Sequence, residues 1–190
     1  MTPLILVLRT VSLLGFAAPL MLGASARARS GTDTLRRGVS RAPIAANFAT
    51  FGAFLISLLV FRGSPEGLTA LLLASSGALL AVGGAGLVLR SRAALGPAWS
   101  FEPVADQATG LVTVGPYRRV RHPIYLGLAL IAMGNAFAFS NCPAALTVLG
   151  GIVPTFAWRA HAEETLLRRT FGERYRQYQR HTKLIIPHVL

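Results

Sequence analysis

The chain of 190 residues is strongly apolar, with 53% hydrophobic and only 14% charged residues, whereas a typical soluble domain has about 25% charged residues. Nineteen Lys and Arg against seven Asp and Glu give a formal charge of +12. The basic residues lie between apolar runs, which indicates membrane topology rather than nucleic-acid binding. A single cysteine, Cys142, excludes an intrachain disulfide, and the four histidines are too scattered along the sequence to form a metal-ligand motif.

Five apolar segments predict an all-α integral membrane bundle of about five transmembrane helices, because a backbone in hydrocarbon must satisfy its own hydrogen bonds. In chain order they are 3–23, 44–61, 68–89, 124–140 and 143–158. The last two are short for a span of about 20 residues. The turn at 141–143 joins them into a predicted hairpin, about 124–158, in which Pro154 is expected to kink the fifth helix.

The first segment has two interpretations. Ala24-Ser25-Ala26 is similar to a small-residue cleavage site, and Arg9 suits the basic region of a signal peptide. The residues before Arg9 are mostly apolar, however, which is atypical of that region and favours a retained span.

The distribution of arginine predicts the orientation of the bundle. Arginines concentrate in the loop 24–43, in the segment 90–122 and in the tail from 159, whereas the second-to-third loop has only Arg62 and the hairpin turn has none. By the positive-inside rule, the N-terminus lies outside and the C-terminus in the cytoplasm. The chain divides into transmembrane helices 1–3, over 1–90, and a second region, 91–190, with the hairpin and the tail.

Glycines recur in the third segment at four positions, Gly77, Gly83, Gly84 and Gly86. Small residues allow membrane helices to approach closely, so these glycines are predicted to be packing positions. A phosphate-binding glycine loop is disfavoured because no strand precedes them.

Two polar stretches at the cytoplasmic side are candidates for chemistry. Residues 115–127 (GPYRRVRHPIYLG) run into the fourth helix, and residues 159–164 (RAHAEE) leave the fifth. Because the hairpin returns the chain to the side it left, the two stretches should lie together. Arg159 and Glu163 are four apart and share a helix face. They form either an anchoring ion pair, or a site where Arg159 binds an anionic substrate and Glu163 a cationic ligand.

The tail after Glu164 predicts one amphipathic C-terminal helix, since Leu167, Phe171, Tyr175 and Tyr178 recur at helical spacing. The arginines on its other faces are typical of a helix that lies on the membrane surface. Residues 184–187 (LIIP) are expected to dock against the bundle.

These motifs resemble a known family. The stretch 121–127 (RHPIYLG) resembles the RHPxYxG signature of the isoprenylcysteine carboxyl methyltransferases. Residues 163–164, with the FGxxYxxY pattern at 171–178, resemble the EE motif and tail of that family. The resemblance covers roughly 95–187, whereas the first three helices match only as hydrophobic spans.

The resemblance implies a membrane methyltransferase that takes S-adenosylmethionine as methyl donor on its cytoplasmic side. It assigns Arg159 to the substrate as the candidate catalytic residue. It also implies a lipidic or prenyl-bearing acceptor that enters from the bilayer. The sequence indicates neither a nucleic-acid partner nor a metal, and it leaves the oligomeric state undetermined. The implied cofactor-contact residues are Thr109, Gly110, Leu111, Val112, Tyr117, His122, Pro123, Tyr125 and Glu163.

The chemistry of the acceptor leaves two alternatives. A carboxylate has a pKa of about 4 and is already ionised near neutral pH, so it needs an orienting cation such as Arg159 and no base. An amine must lose a proton, for which Glu164 or His161 is a candidate base.

Two further functions remain open from the sequence. A nicotinamide-dependent enzyme of the sterol-reductase type has a similar HPxY segment, but Ile124 and Tyr175 stand where that group tends to have Asn and Trp. A non-catalytic membrane protein is disfavoured because Arg, His and Glu beside a bilayer are costly unless they have a function.

Overall fold

The computed structural model describes residues 2–24, 42–61, 63, 65–96 and 110–185, and within the first helix it describes the side chains of 3–15. These residues form seven α-helices and no β-strand. The helices are α1 (Thr2–Ala24), α2 (Ala42–Val60), α3 (Gly67–Leu95), α4 (Pro123–Ala138), α5 (Cys142–Thr147), α6 (Val153–Phe171) and α7 (Glu173–His181). The all-α fold is confirmed. The arginines of the loop 24–43 and Thr109 lie outside the described residues, as do residues 186 and 187.

The centre of the bundle is the antiparallel pair α3 and α4, which approach each other through glycine. A Cβ added at Gly77 would lie 2.5 Å from the carbonyl oxygen of Gly134, and one added at Gly84 would lie 2.6 Å from that of Gly127. The packing role of these two glycines is confirmed. For Gly83 and Gly86 the prediction is wrong, because a Cβ at either residue would have no neighbour within 4 Å in the part of the chain that the structure describes.

Polar contacts fix the first helix against this pair. The hydroxyl of Ser12 donates to Oδ1 of Asn135 at 2.9 Å, and both side chains are buried. One turn away, Nε of Arg9 donates to the carbonyl oxygen of Ala138 at 2.9 Å. A cation at that place also complements the negative end of the α4 dipole. The start of α1 therefore lies beside the end of α4.

The predicted hairpin is present, and Asn141 organises its turn. Its Oδ1 accepts the N–H of Ala144 at 2.8 Å, which caps α5. Its Nδ2 donates to the carbonyl oxygen of Ser57 at 2.7 Å, near the end of α2. The turn is thus tied to α2, and the start of α1 lies at the same end of the bundle.

The fifth predicted segment differs from a simple span of 143–158. After α5, one π-helical turn at Val148–Ile152 leads into α6, which continues to Phe171. In that turn the N–H of Val153 donates to the carbonyl of Val148, five residues back. The expected irregularity at Pro154 therefore takes the form of a wider turn just before the proline, which lacks an N–H of its own.

The single amphipathic tail helix predicted after Glu164 is wrong. Helix α6 ends at Phe171, and α7 begins at Glu173. Gly172 between them has φ 54° and ψ −128°, a conformation that glycine adopts at little cost. The tail turns at this residue, and Leu184 and Ile185 beyond α7 are buried in the core cluster, so the docking of the tail is confirmed for these two residues.

The outer surface of the bundle is apolar. Helices α2 and α3 are long and apolar enough to cross a membrane, and α4 is a shorter apolar helix. Large side chains such as Leu59, Leu72 and Leu79 are exposed on them. A surface of this kind in a soluble monomer would be unusually apolar. The fold is that of a helical protein of the membrane.

Candidate functional site

The two motif stretches meet at the end of the bundle opposite the hairpin turn. The chain before α4 is held by the segment after α7: the N–H of Arg121 donates to the carbonyl of Lys183 at 2.8 Å, and that of His122 to the carbonyl of Leu184 at 2.9 Å. Val120 and Lys183 form a single parallel bridge. The tail therefore fixes the backbone of the motif directly.

Local sequence explains how α4 begins. Pro123 occupies its first turn, where a missing N–H costs nothing. His122 precedes it as the N-cap residue, and both are buried. Tyr125 follows within the first turn, and its ring stacks on His122 with centroids 5.6 Å apart. The start of α4 thus places the imidazole of His122 and the phenol of Tyr125 side by side.

Glu163 is the centre of the first half of the site. Its Oε1 accepts a hydrogen bond from the hydroxyl of Tyr125 and lies 3.1 Å from Nε of Arg159. Its Oε2 lies 3.5 Å from Nδ1 of His122. The guanidinium of Arg159 also lies over the Tyr125 ring, 5.6 Å from its centroid, within range of a cation–π contact. The predicted Arg159–Glu163 pair is present.

We call these four residues together with Tyr117 the motif cluster. Tyr117 is buried in a short 3₁₀ turn at Gly115–Arg118, and the hydroxyl of Tyr178 donates to its carbonyl at 2.6 Å. Burial, with Tyr178 and Glu163 nearby, raises the pKa of Tyr117 well above its usual value. Its hydroxyl therefore stays protonated and can donate a hydrogen bond.

Glu164, the next residue, faces a different set of partners. Nε of Arg121 donates to its Oε1, the hydroxyl of Tyr175 lies 3.3 Å from the same oxygen, and Nε2 of Gln179 donates to its Oε2 at 2.7 Å. Arg121 also donates to the carbonyl of Thr182. Glu164 and Arg121 therefore join the start of α4, α6 and α7.

Opposing effects set the protonation of His122. Burial lowers its pKa, but the close approach and the charge of Glu163 and Glu164 outweigh burial, so that the pKa is raised above the ordinary 6.5. Its Nε2 lies 3.8 Å from Oε1 of Glu164. The two adjacent carboxylates together stabilise an imidazolium.

The same contacts keep both glutamates ionised. Burial raises the pKa of Glu163, but His122, Arg159 and the Tyr125 hydroxyl lower it further, and the net shift is downward. For Glu164, burial is outweighed by His122 and Arg121, which lower the pKa to about 2. Neither carboxylate is suited to accept a proton near neutral pH.

The predicted site residues divide into three groups. Tyr117, His122, Tyr125, Arg159 and Glu163 come together, and Pro123 positions two of them. Gly110, Leu111 and Val112 lie in the half-buried segment that leads to the 3₁₀ turn, and the contacts described for the motif cluster do not include them. Thr109 lies outside the described residues.

Sequence reasoning missed the residues that hold the site together. The motif identifies Arg121 without its partners, and it does not indicate Gln179 or Thr182. Gln179 lies one turn after Tyr175 on α7, so its spacing was a usable signal. The carbonyl of Thr182 carried none, because a backbone contact does not depend on residue type. Among the described residues no three His, Cys, Asp or Glu side chains are grouped so as to hold a metal.

The fold and the site define a helical integral membrane protein with a buried, charge-paired cluster at one end of the bundle. A sequence profile described as phospholipid methyltransferase matches residues 72–174, more than half of the chain. The chain belongs to the phospholipid methyltransferase family.

Two curated proteins to which the chain is similar are isoprenylcysteine O-methyltransferases. The chain is 32% identical to a protein-S-isoprenylcysteine O-methyltransferase of Schizosaccharomyces pombe over 54% of this chain and 45% of that protein. It is also 32% identical to protein-S-isoprenylcysteine O-methyltransferase A of Arabidopsis thaliana over 44% of this chain and 43% of that protein. The predicted resemblance is confirmed, and the chain spans about half the length of these relatives.

A solved structure shares the fold. The eukaryotic intramembrane Ras methyltransferase, an isoprenylcysteine carboxyl methyltransferase, superposes with a TM-score of 0.60 at 20% identity. The match covers 93% of this chain and 63% of that one. At this identity the likeness establishes the fold alone.

Proposed function

We propose that this protein is a membrane methyltransferase that transfers a methyl group from S-adenosylmethionine to the carboxylate of a lipidic or prenyl-bearing acceptor. The observation that carries the proposal is the cluster of Arg159, Glu163 and His122 at the end of an apolar bundle, in which His122 is buried and the other two are largely buried. The bilayer and an apolar acceptor are the partners that such a bundle suits. Family membership and the names of the curated relatives support the reaction class.

The residues of the motif cluster fit the methyl donor. Nε2 of His122 is buried and has no hydrogen-bond partner among the described residues, so the site has an unused polar atom. Oε2 of Glu163 lies 3.5 Å from Nδ1 of His122, and a carboxylate oxygen can accept more than one hydrogen bond. Glu163, His122, Tyr117 and Tyr125 would hold the donor, and Gly110–Val112 are proposed to line its other side.

Bound there, S-adenosylmethionine would supply a methyl group attached to a positively charged sulfur. Glu163 contributes an ionised carboxylate that favours a cationic ligand. Arg159 contributes a guanidinium, a planar cation whose N–H donors match the geometry of a carboxylate, to orient the acceptor. Holding two reactants in near-attack geometry supplies a large part of the rate enhancement in such reactions.

The structure favours a carboxylate acceptor over an amine. Glu164, one candidate base, is engaged by Arg121, Tyr175 and Gln179, and its pKa is lowered to about 2. His161, the other, is exposed, and its Nδ1 lies 2.7 Å from the carbonyl of Ala157 on its own helix. A carboxylate oxygen needs no base, because it attacks as an anion and releases no proton.

We further propose five membrane crossings, with the C-terminus and the site in the cytoplasm. Alternating helix directions support this, since Arg9 of α1 and Ser57 of α2 lie at the hairpin end, opposite the motif cluster. The described arginines Arg118, Arg119 and Arg121 lie at the motif end.

The test is transfer of labelled methyl from S-adenosylmethionine into a membrane extract by the purified full chain, followed by identification of the labelled product. A labelled, base-labile ester is the expected result. Titration calorimetry with S-adenosylmethionine is the companion measurement. Absence of binding by folded protein would overturn the proposal, and oxidation of NADPH with an enone would favour a reductase instead.

A further inference from the structure

A groove separates the 3₁₀ turn before α4 from helix α7. It is a shallow groove, open to the surface, with a volume of about 640 Å³. One wall is the turn with Arg118, and the other is the face of α7. The lining residues are Thr113, Arg118, Arg174, Gln177, Tyr178, Arg180, His181 and Thr182. We call this the basic groove.

The charge of the basic groove has one sign. Three arginines line it, and its described lining residues include no carboxylate. Among the described residues, two acids lie near it: Glu164, which acts on the lining residue Tyr178 but is paired with Arg121, and Glu173, which lies 3.8 Å from Arg180 with both side chains more than half exposed. Exposed pairs of this kind contribute little. Arg118 lies on the wall formed by the 3₁₀ turn and Arg174 on the wall formed by α7, so an anion in the groove would gain from both.

The remaining lining groups suit phosphate oxygens. Gln177 offers an amide N–H donor, and Thr113 offers a hydroxyl, beside the guanidinium groups. Arginine binds phosphate with paired N–H donors in a planar arrangement. A phosphate diester with a polar headgroup matches both the charge and the size of the basic groove.

The position of the basic groove identifies the source of the phosphate. Arg118 lies five residues before Pro123, where the apolar helix α4 begins. The polar helix α7 is held beside it by the hydrogen bond from Tyr178 to the Tyr117 carbonyl, 2.6 Å long. The groove therefore lies where the apolar bundle ends, at the depth of lipid headgroups.

We propose that the basic groove binds the phosphate of an anionic lipid headgroup. The site is separate from the motif cluster and does not depend on the proposed methyl transfer. Lipid bound here would hold α7 at the membrane surface and stabilise the tail that brackets Arg121 and His122.

The experiment measures lipid selectivity of the purified full chain, reconstituted in bilayers of phosphatidylcholine with trace spin-labelled phosphatidylglycerol or spin-labelled phosphatidylcholine. The test variant is the double substitution R118Q/R174Q, and the matched control is R168Q/R169Q, which removes the same charge from exposed positions of α6. We expect wild type and control to prefer phosphatidylglycerol. In the test variant the selectivity for phosphatidylglycerol over phosphatidylcholine should fall at least about fivefold, given the usual contribution of basic residues near anionic lipid.

The other outcomes are decisive as well. An equal loss in both double variants would mean diffuse surface charge and would overturn the proposal. Inorganic phosphate that displaces the labelled lipid at equal concentration would identify a soluble anion as ligand, also against it. If R118Q/R174Q fails to fold, R118K/R174K keeps the charge and should retain most of the preference; a complete loss in that folded variant would contradict a charge-based site.

Discussion

Glu163 and Glu164 are adjacent in the chain, but their carboxylates bind different partners. Glu163 contacts Arg159 and Tyr125, whereas Glu164 contacts Arg121 and Gln179. His122 lies between them, 3.5 Å from one carboxylate and 3.8 Å from the other. We infer that the first glutamate belongs to the reaction site and that the second positions it.

This division predicts opposite outcomes for two matched substitutions. Glu164→Gln removes the charge that holds Arg121 at a site where the carboxylate side chain is 5% exposed. Loss of one partner of a buried ion pair typically costs about 3–5 kcal/mol, and the amide should recover part of it. We expect a lower unfolding temperature and faster proteolytic cleavage near Gly172.

Glu163→Gln should instead weaken binding of S-adenosylmethionine while its effect on the unfolding temperature is smaller. Calorimetric titration and thermal unfolding of both variants, in the same detergent, separate the two effects. If Glu164→Gln reduced donor binding at unchanged stability, and Glu163→Gln only unfolded the protein, the assigned roles would be reversed.

The His122 contacts predict a pH dependence of stability. Its pKa is raised in the folded protein, so its contribution is complete below the unfolded value of 6.5 and is lost as pH rises through the folded pKa. The pKa of Glu164 is lowered to about 2, so its contribution is complete above 4.5 and is lost as pH falls towards 2.

Both contributions are therefore complete between pH 4.5 and 6.5. Thermal unfolding of wild type should show a fall in stability above that window, and His122→Gln should flatten the alkaline side of the profile. An unchanged alkaline slope in the variant would show that another group titrates there.

Much of the site was predictable because it follows from topology. A hairpin must return its chain to the same membrane face, so His122 and Glu163 had to lie near each other whatever the details of packing. The tail was less predictable. The periodicity of Leu167, Phe171 and Tyr175 favours one continuous helix, whereas a glycine such as Gly172 is also a signal for the end of a helix. In the structure Gly172 has a positive φ, and the helix ends there.

Helix rotation was the other quantity that the sequence left open. Four glycines in α3 looked equivalent, but only a helix face can contact α4, and Gly77 and Gly84 are seven residues apart on one face. Gly83 and Gly86 lie on other faces, where a Cβ meets none of the described atoms within 4 Å. Composition identifies a packing residue type, whereas the direction in which it points depends on the partner helix.

This difference makes a controlled test of the α3–α4 contact. Gly77→Ala would place a Cβ 2.5 Å from the backbone nitrogen of Ala138, so the helices must separate, at a cost of about 1–3 kcal/mol. Gly83→Ala, in open space, should be neutral or stabilising by up to about 1 kcal/mol, since alanine has the higher helix propensity. Thermal unfolding of the two variants checks this, and equal losses would contradict the described packing.

The final prediction concerns Arg159 and the acceptor. If its guanidinium orients an acceptor carboxylate, Arg159→Ala should lower kcat/KM for a prenylcysteine with a free carboxylate by about tenfold or more, the scale of a charged hydrogen bond. Arg159→Lys keeps the charge but loses the planar guanidinium, so its activity should lie between those of wild type and Arg159→Ala. Arg168→Ala, at an exposed position of the same helix, serves as the control, and its activity should be unchanged.

Because Arg159 also pairs with Glu163 at 3.1 Å, donor binding must be measured in each variant. Weaker binding of S-adenosylmethionine with an unchanged acceptor KM would mean that Arg159 acts through Glu163 and that another group binds the acceptor.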